Sequence, residues 1–126
     1  MDSKYQLFNS SSNSAEIVAE VFEWKNDTMD RENSNGYFVS LVNGKLVRAT
    51  NEFDVLGISL KRIDDEIDNK NRFKSIIGLF GVMKVRDDGT CVPGKKCTVV
   101  NGIATPGTKW IVTERITENI IKIVFR

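Results

Sequence analysis

IIGLFGVMKVRDDGTCVPGKKC, residues 76 to 97, joins two patterns in one stretch. An apolar run interrupted by Gly78 and Gly81 passes into an alternation in which Val82, Lys84 and Arg86 point one way and Met83 and Val85 the other. The alternation breaks at Asp87-Asp88-Gly89 and again at Pro93-Gly94, with Cys91 and Cys97 on either side of the second break. Period-two alternation bounded by turn dipeptides predicts a strand that enters a tight, doubly turned loop. Glycine inside a strand marks a bulge or the close approach of another backbone. Nothing in the stretch is a reaction centre.

Downstream, Asn101-Gly102 separates Thr98–Val100 from Ile103-Ala104 and predicts a hairpin. Trp110 to Ile116 and Ile120 to Phe125 predict a closing hairpin. A two-residue loop at Glu118-Asn119 would set Arg115 opposite Lys122, an unfavourable pair. A three-residue loop, Thr117 to Asn119, sets Glu114 opposite Lys122 and Ile111 opposite Phe125, and is the one expected.

Upstream, Phe53 to Leu60 reads as a short strand containing Gly57. Lys61 to Lys74 is charge-dense and reads as a solvated loop or short helix, with Ile63 and Ile67 four apart. Its Asp64, Asp65, Glu66 and Asp68 lack the glycine and distal glutamate of a calcium loop, so no metal is expected there. Asn43-Gly44 between YFVSLV and KLVRAT is the pattern of a two-residue type I′ turn. Its register pairs Leu41 with Leu46, Ser40 with Val47 and Phe38 with Ala49. One face carries Phe38, Val47 and Ala49; the other carries Val39, Leu41 and Leu46. Neither face is polar, so a second layer or a second copy of the chain must cover one of them. Val39, Leu41 and Leu46 are accordingly candidate assembly contacts.

Ala15 to Trp24 reads as a further strand on its Val, Ile, Phe and Trp content. Residues 1–14 form a polar N-terminal arm carrying three large apolar groups, Tyr5, Leu7 and Phe8. These either anchor the arm on its own domain or dock it on a neighbouring subunit. The expected architecture is all-β: a small barrel or sandwich of about eight short antiparallel strands, residues 15–126, with the arm at 1–14.

Composition narrows the chemistry. Eighteen basic against seventeen acidic residues give a net charge of +1, unlike the clustered basic excess of nucleic-acid binders. No apolar run approaches the roughly 20 residues of a membrane span, and MDSKYQLFNSSSNSAE lacks the apolar centre of a secretory signal. Neither nucleic acid nor membrane is an expected partner. Histidine is absent, which removes the commonest general base and metal ligand. Two cysteines alone do not complete a zinc site, and no cofactor is implied. Cys91 and Cys97 either close a disulfide loop, contributing about 2–3 kcal/mol, or remain reduced thiols.

The order of several pieces carries a resemblance. AEVFEW (Ala19 to Trp24) is followed by GYFVSLVNGKLVRAT, VLGIS, GLFGVMKVRDDGTCVPGKKC and GIAT, and then by the closing ITENIIKIVFR. Together they resemble the peptidase G2 domain, the C-terminal self-cleaving chaperone module of phage neck-appendage and tail-spike proteins, over most of residues 15–126. The resemblance implies a β-rich domain that acts as a trimer, found also as a separate virion protein. Its motif matches Glu20 and Glu23, the catalytic candidates if the chain cleaves itself. The family commonly has an acidic residue where this chain has Ile17, and it carries a longer aromatic insertion at the place of Lys61 to Lys74. A looser resemblance is to phage capsid decoration proteins, often trimers with an arm laid across their neighbours.

These resemblances imply a non-catalytic virion protein, assembled in the host cytoplasm with copies of itself and with other virion proteins. A self-cleaving assembly chaperone is the alternative. A glycan-binding or host-surface module is a third reading, with Trp24, Trp110 and Tyr37 available to stack sugars unless they are core.

Overall fold

The computed structural model describes residues 17–25, 33–63 and 73–126. Among these residues nine strands follow in order: β1 (Val18–Glu23), β2 (Phe38–Val42), β3 (Lys45–Arg48), β4 (Gly57–Ile63), β5 (Lys74–Arg86), β6 (Lys96–Val100), β7 (Ile103–Pro106), β8 (Trp110–Thr117) and β9 (Ile120–Phe125). They form one antiparallel sheet in the order β3-β2-β4-β5-β9-β8-β6-β7, with β1 also on β5. The domain is all-β, and the sheet does not close. Isolated parallel bridges join Trp24 to Leu46 and Asp87 to Ala104, and backbone hydrogen bonds from Phe38 N to Gly102 O and from Gly102 N to Ala49 O tie the β6–β7 turn to the β2–β3 end.

β5 pairs with three other strands, β1, β4 and β9. Residues 74–80 pair with β1, and β4 flanks the same half. From Gly81 onward β5 pairs with β9 instead. Gly81 has φ 133, a conformation costly for any residue with a Cβ. This bend redirects the strand from one half of the sheet to the other, as strands at the corners of folded sheets do. Beyond it Met83 and Val85 are fully buried, as the alternation implies. The second expectation about this stretch, close backbone approach, holds at Gly57, where an added Cβ would lie 2.3 Å from the Gly78 carbonyl oxygen.

The core has two parts. The larger contains Phe38, Trp110 and Phe125 with Ile58, Met83, Val85, Ile121 and Ile123. Its three rings pack at centroid separations of 4.9, 5.5 and 6.4 Å. The smaller contains Trp24, Tyr37, Val39, Leu46, Phe73 and Ile77. Trp24 stacks on Phe73 at 5.6 Å and donates its ring N–H to Ser75 Oγ at 2.9 Å.

This smaller core answers the question posed by the two-faced hairpin. Phe38 faces the large core; Val39 and Leu46 face the small one and are fully buried. The second layer thus comes from the chain itself, and the reading of Val39 and Leu46 as contacts for another protein is corrected. Only Leu41 of that trio, 40% exposed, remains at the surface.

Both Asn-Gly turns form as read. Asn43 and Gly44 have φ 52 and 78, and Asn101 and Gly102 have φ 50 and 84. Leu41 pairs with Leu46 and Ser40 with Val47.

The closing hairpin differs. Thr117 pairs with Ile120 around a two-residue turn, and a register shift between Arg115 and Thr117 sets Glu114 opposite Lys122. A second shift, between Val112 and Glu114, sets Ile111 opposite Val124 rather than Phe125. The charge argument held for Glu114 and Lys122, 3.5 Å apart, but bulges satisfy it in place of a longer loop. At β4, the strand begins at Gly57 and runs through Lys61 to Ile63, later than expected. Phe53 lies outside it and is 89% exposed.

Candidate functional site

Glu20 and Glu23 both lie on β1. Three positions apart on a strand, they project to opposite faces and are about 10 Å apart along the chain. Glu20 is exposed, paired in register with Ile77. Glu23 accepts an ion pair from Lys45 Nζ at 3.0 Å. The fold therefore does not bring the two carboxylates to bear on one bond. Trp24, Tyr37 and Trp110 are 1%, 6% and 3% exposed, so the three rings are core and offer sugars no open face. Tyr5, Leu7 and Phe8, and the acidic run Asp64 to Asp68, lie outside the described residues.

Among the described residues, a buried polar cluster lies at the far end of β5. Asp87 is wholly buried and receives both terminal nitrogens of Arg115, at 3.2 and 2.6 Å. Arg115 also donates to the Cys91 and Thr117 carbonyls, and the Cys91 N–H donates to Asp87. A bidentate guanidinium-carboxylate pair with its remaining lone pairs satisfied is the geometry in which a buried charge is tolerated. Asp88 accepts from the Thr90 N–H and hydroxyl at 3.0 and 2.6 Å, and from the Thr105 hydroxyl at 2.7 Å. Burial alone would raise its carboxyl, but these hydrogen bonds outweigh that and hold it below its ordinary 3.8.

Asp87, Asp88 and Cys91 present ligand atoms within 4.8 Å of one another. Arg115 already engages both Asp87 oxygens, the threonines engage Asp88, and the Cys91 thiol is held neutral. The donor set fits a structural clamp better than an ion.

The sequence pattern marked Asp87 as the turn that ends the alternation and gave no sign of the clamp. In the structure Asp87 continues the inward series of Met83 and Val85, and Arg115 lies opposite buried Ile121.

Cys91 and Cys97 are free and buried. Burial, the Cys97 thiol and Asp87 push Cys91 from its ordinary 9.0 up to about 12. Burial and Asp87 push Cys97 up to about 12 as well. A folded pKa raised in this way contributes its stability below pH 9 and loses it as pH rises toward 12. Stability to urea should therefore fall across that window, and Cys97→Ala should flatten the fall. Ellman's reagent should find both thiols slow in the native chain and fast after denaturation. A denatured chain with no reactive thiol, or a native one reacting at the rate of a free cysteine, contradicts this.

The described architecture is an antiparallel β domain of a kind already seen in phage proteins. It is similar to the pre-mature bacteriophage phi29 gene product 12, with TM-score 0.65 and 20% identity, over 90% of this chain and 22% of that one. It is also similar to the bacteriophage phi29 gene product 12 C-terminal fragment, with TM-score 0.63 and 21% identity, over 86% of this chain and 99% of that fragment. The chain thus spans about a fifth of the pre-mature chain and nearly all of the C-terminal fragment. At this identity the likeness is one of fold, and it is the fold to which the sequence resemblance pointed. No family model matches the chain, and no curated protein matches it.

Proposed function

We propose that this chain is a structural component of a phage tail or appendage, and that its β domain serves assembly without cutting itself. The observation that carries the reading is the coverage of nearly the whole phi29 C-terminal fragment by a fold in which β1, β4 and β9 all pair with one bent strand, β5. Placement of Glu20 and Glu23 on opposite faces of β1 supports a domain without catalysis. So does Ile17 in the position of the family's acidic residue, since Ile17 is 1% exposed and packs in the core.

The domain associates with further copies of itself, as the resemblance to trimeric modules implies. Leu41 and Val42, both about two-fifths exposed at the hairpin tip, offer apolar surface for that contact. The arm bearing Tyr5, Leu7 and Phe8 reaches a neighbour in the particle. Assembly takes place in the host cytoplasm.

Self-cleavage is the second reading, favoured by the pre-mature state of one phi29 structure. Intact mass after expression separates the two. The proposal expects the uncut chain, in wild type and in Glu20→Gln alike. A trimmed wild-type product that disappears in Glu20→Gln would overturn it.

A further inference from the structure

The outer face of β9, β8 and β6 is divided into a basic half and an apolar half. Cross-strand pairing places Lys96 beside Ile111, Ile111 beside Val124, and Val124 beside Val82, one row across four strands. Side chains in such a row stand about 5 Å apart. Lys109 and Arg126, two residues beyond Ile111 and Val124, join Lys96 around a cleft of about 170 Å³. Among the described residues, none of these three cations pairs with a carboxylate. On this face Glu114 is engaged by Lys122, and Glu52 accepts from the hydroxyl of Thr98, two residues along β6 from Lys96. On the β5 side the same face ends in the cross-strand pair Val18 and Phe80, 44% and 53% exposed.

We infer that this face docks an extended protein segment in which carboxylates alternate with large apolar side chains. Charge complementarity selects the occupant. Lys96 and Lys109, neither paired with a carboxylate among the described residues, call for an anion, and the adjoining valines, isoleucine and phenylalanine call for apolar groups within a few residues of it. A polyphosphate would use only the first half. A second copy meeting this face about a two-fold axis would set like charges against one another. The inference deepens the assembly reading and rests on it for the partner's place in a particle; the chemistry of the face stands on its own.

Fluorescence anisotropy with a labelled 12-residue peptide of alternating Glu and Leu tests it, beside its Gln-Leu counterpart and a 12-nucleotide oligothymidylate. The Glu-Leu peptide should bind at least about ten-fold more tightly than either. Lys96→Glu with Lys109→Glu, and separately Phe80→Asp, should each weaken binding about ten-fold, whereas Lys61→Glu on β4 should not. Unchanged melting temperatures show that the variants fold. No binding of the acidic peptide, equal binding of the oligonucleotide, or unaffected binding by the folded variants would overturn the inference. So would self-association through this face in sedimentation. Peptide binding by a chain absent from particles would sink the assembly reading alone. Normal incorporation of the variants, with no peptide binding, would sink the face alone.

Discussion

Gly57→Ala should cost more than about 4 kcal/mol, a change in the exceptional tail for single substitutions. A Cβ at this position would lie 2.3 Å from the Gly78 carbonyl oxygen and 2.8 Å from Ile77 Cγ2. The first of these is backbone of the neighbouring strand, in the half of β5 that also holds β1. It cannot yield without opening the β4–β5 ladder where the two cores meet. Natural domains hold only about 5–15 kcal/mol in all, so the melting temperature should fall by roughly 15 °C or the chain should not fold. Gly94→Ala is the comparison. Gly94 has φ +86 but open space around it, so its substitution carries only the conformational cost of about 1–2 kcal/mol. Thermal melts of the two variants measure the difference. A Gly57→Ala chain as stable as Gly94→Ala would show that β4 and β5 do not approach as described.

Arg115→Met should cost about 3 kcal/mol, the lower end of the range for stranding a buried charge, because the arginine is partly exposed. The substitution keeps the side-chain length and leaves the wholly buried Asp87 carboxylate without its two donors. Removing the charge as well, with Asp87→Asn in the same chain, should recover part of that loss, since a neutral amide still accepts from the Cys91 N–H. Urea unfolding of the wild-type, single and double variants gives the coupling. A single variant within about 0.5 kcal/mol of wild type would make the pair an ordinary surface ion pair.

How far the residues disclosed this fold depends on whether a signal was local. The two Asn-Gly turns set their own register, because left-handed conformations at both positions admit one hairpin geometry. The bend at Gly81 was visible as a glycine interrupting a strand, but its consequence, β1 giving way to β9, depends on partners distant in sequence. The covering of Val39 and Leu46 is non-local too. Trp24 reaches them from β1, and nothing between residues 36 and 50 names that partner. The β8 bulges are the hardest case, since sequence alone shows which pairings are unfavourable and not whether a longer loop or an extra residue relieves them. For the candidate site, Glu20 and Glu23 were found by resemblance and separated by strand geometry. The clamp of Asp87 and Arg115 needed the structure.

Quantitative mass spectrometry of gradient-purified phage particles tests the central claim most directly. The account predicts this chain in particles at a fixed ratio to the other tail proteins, with peptides from β1 contiguous with those preceding it. Particles that lack the chain, or that contain it only cut at or before β1, would contradict the account.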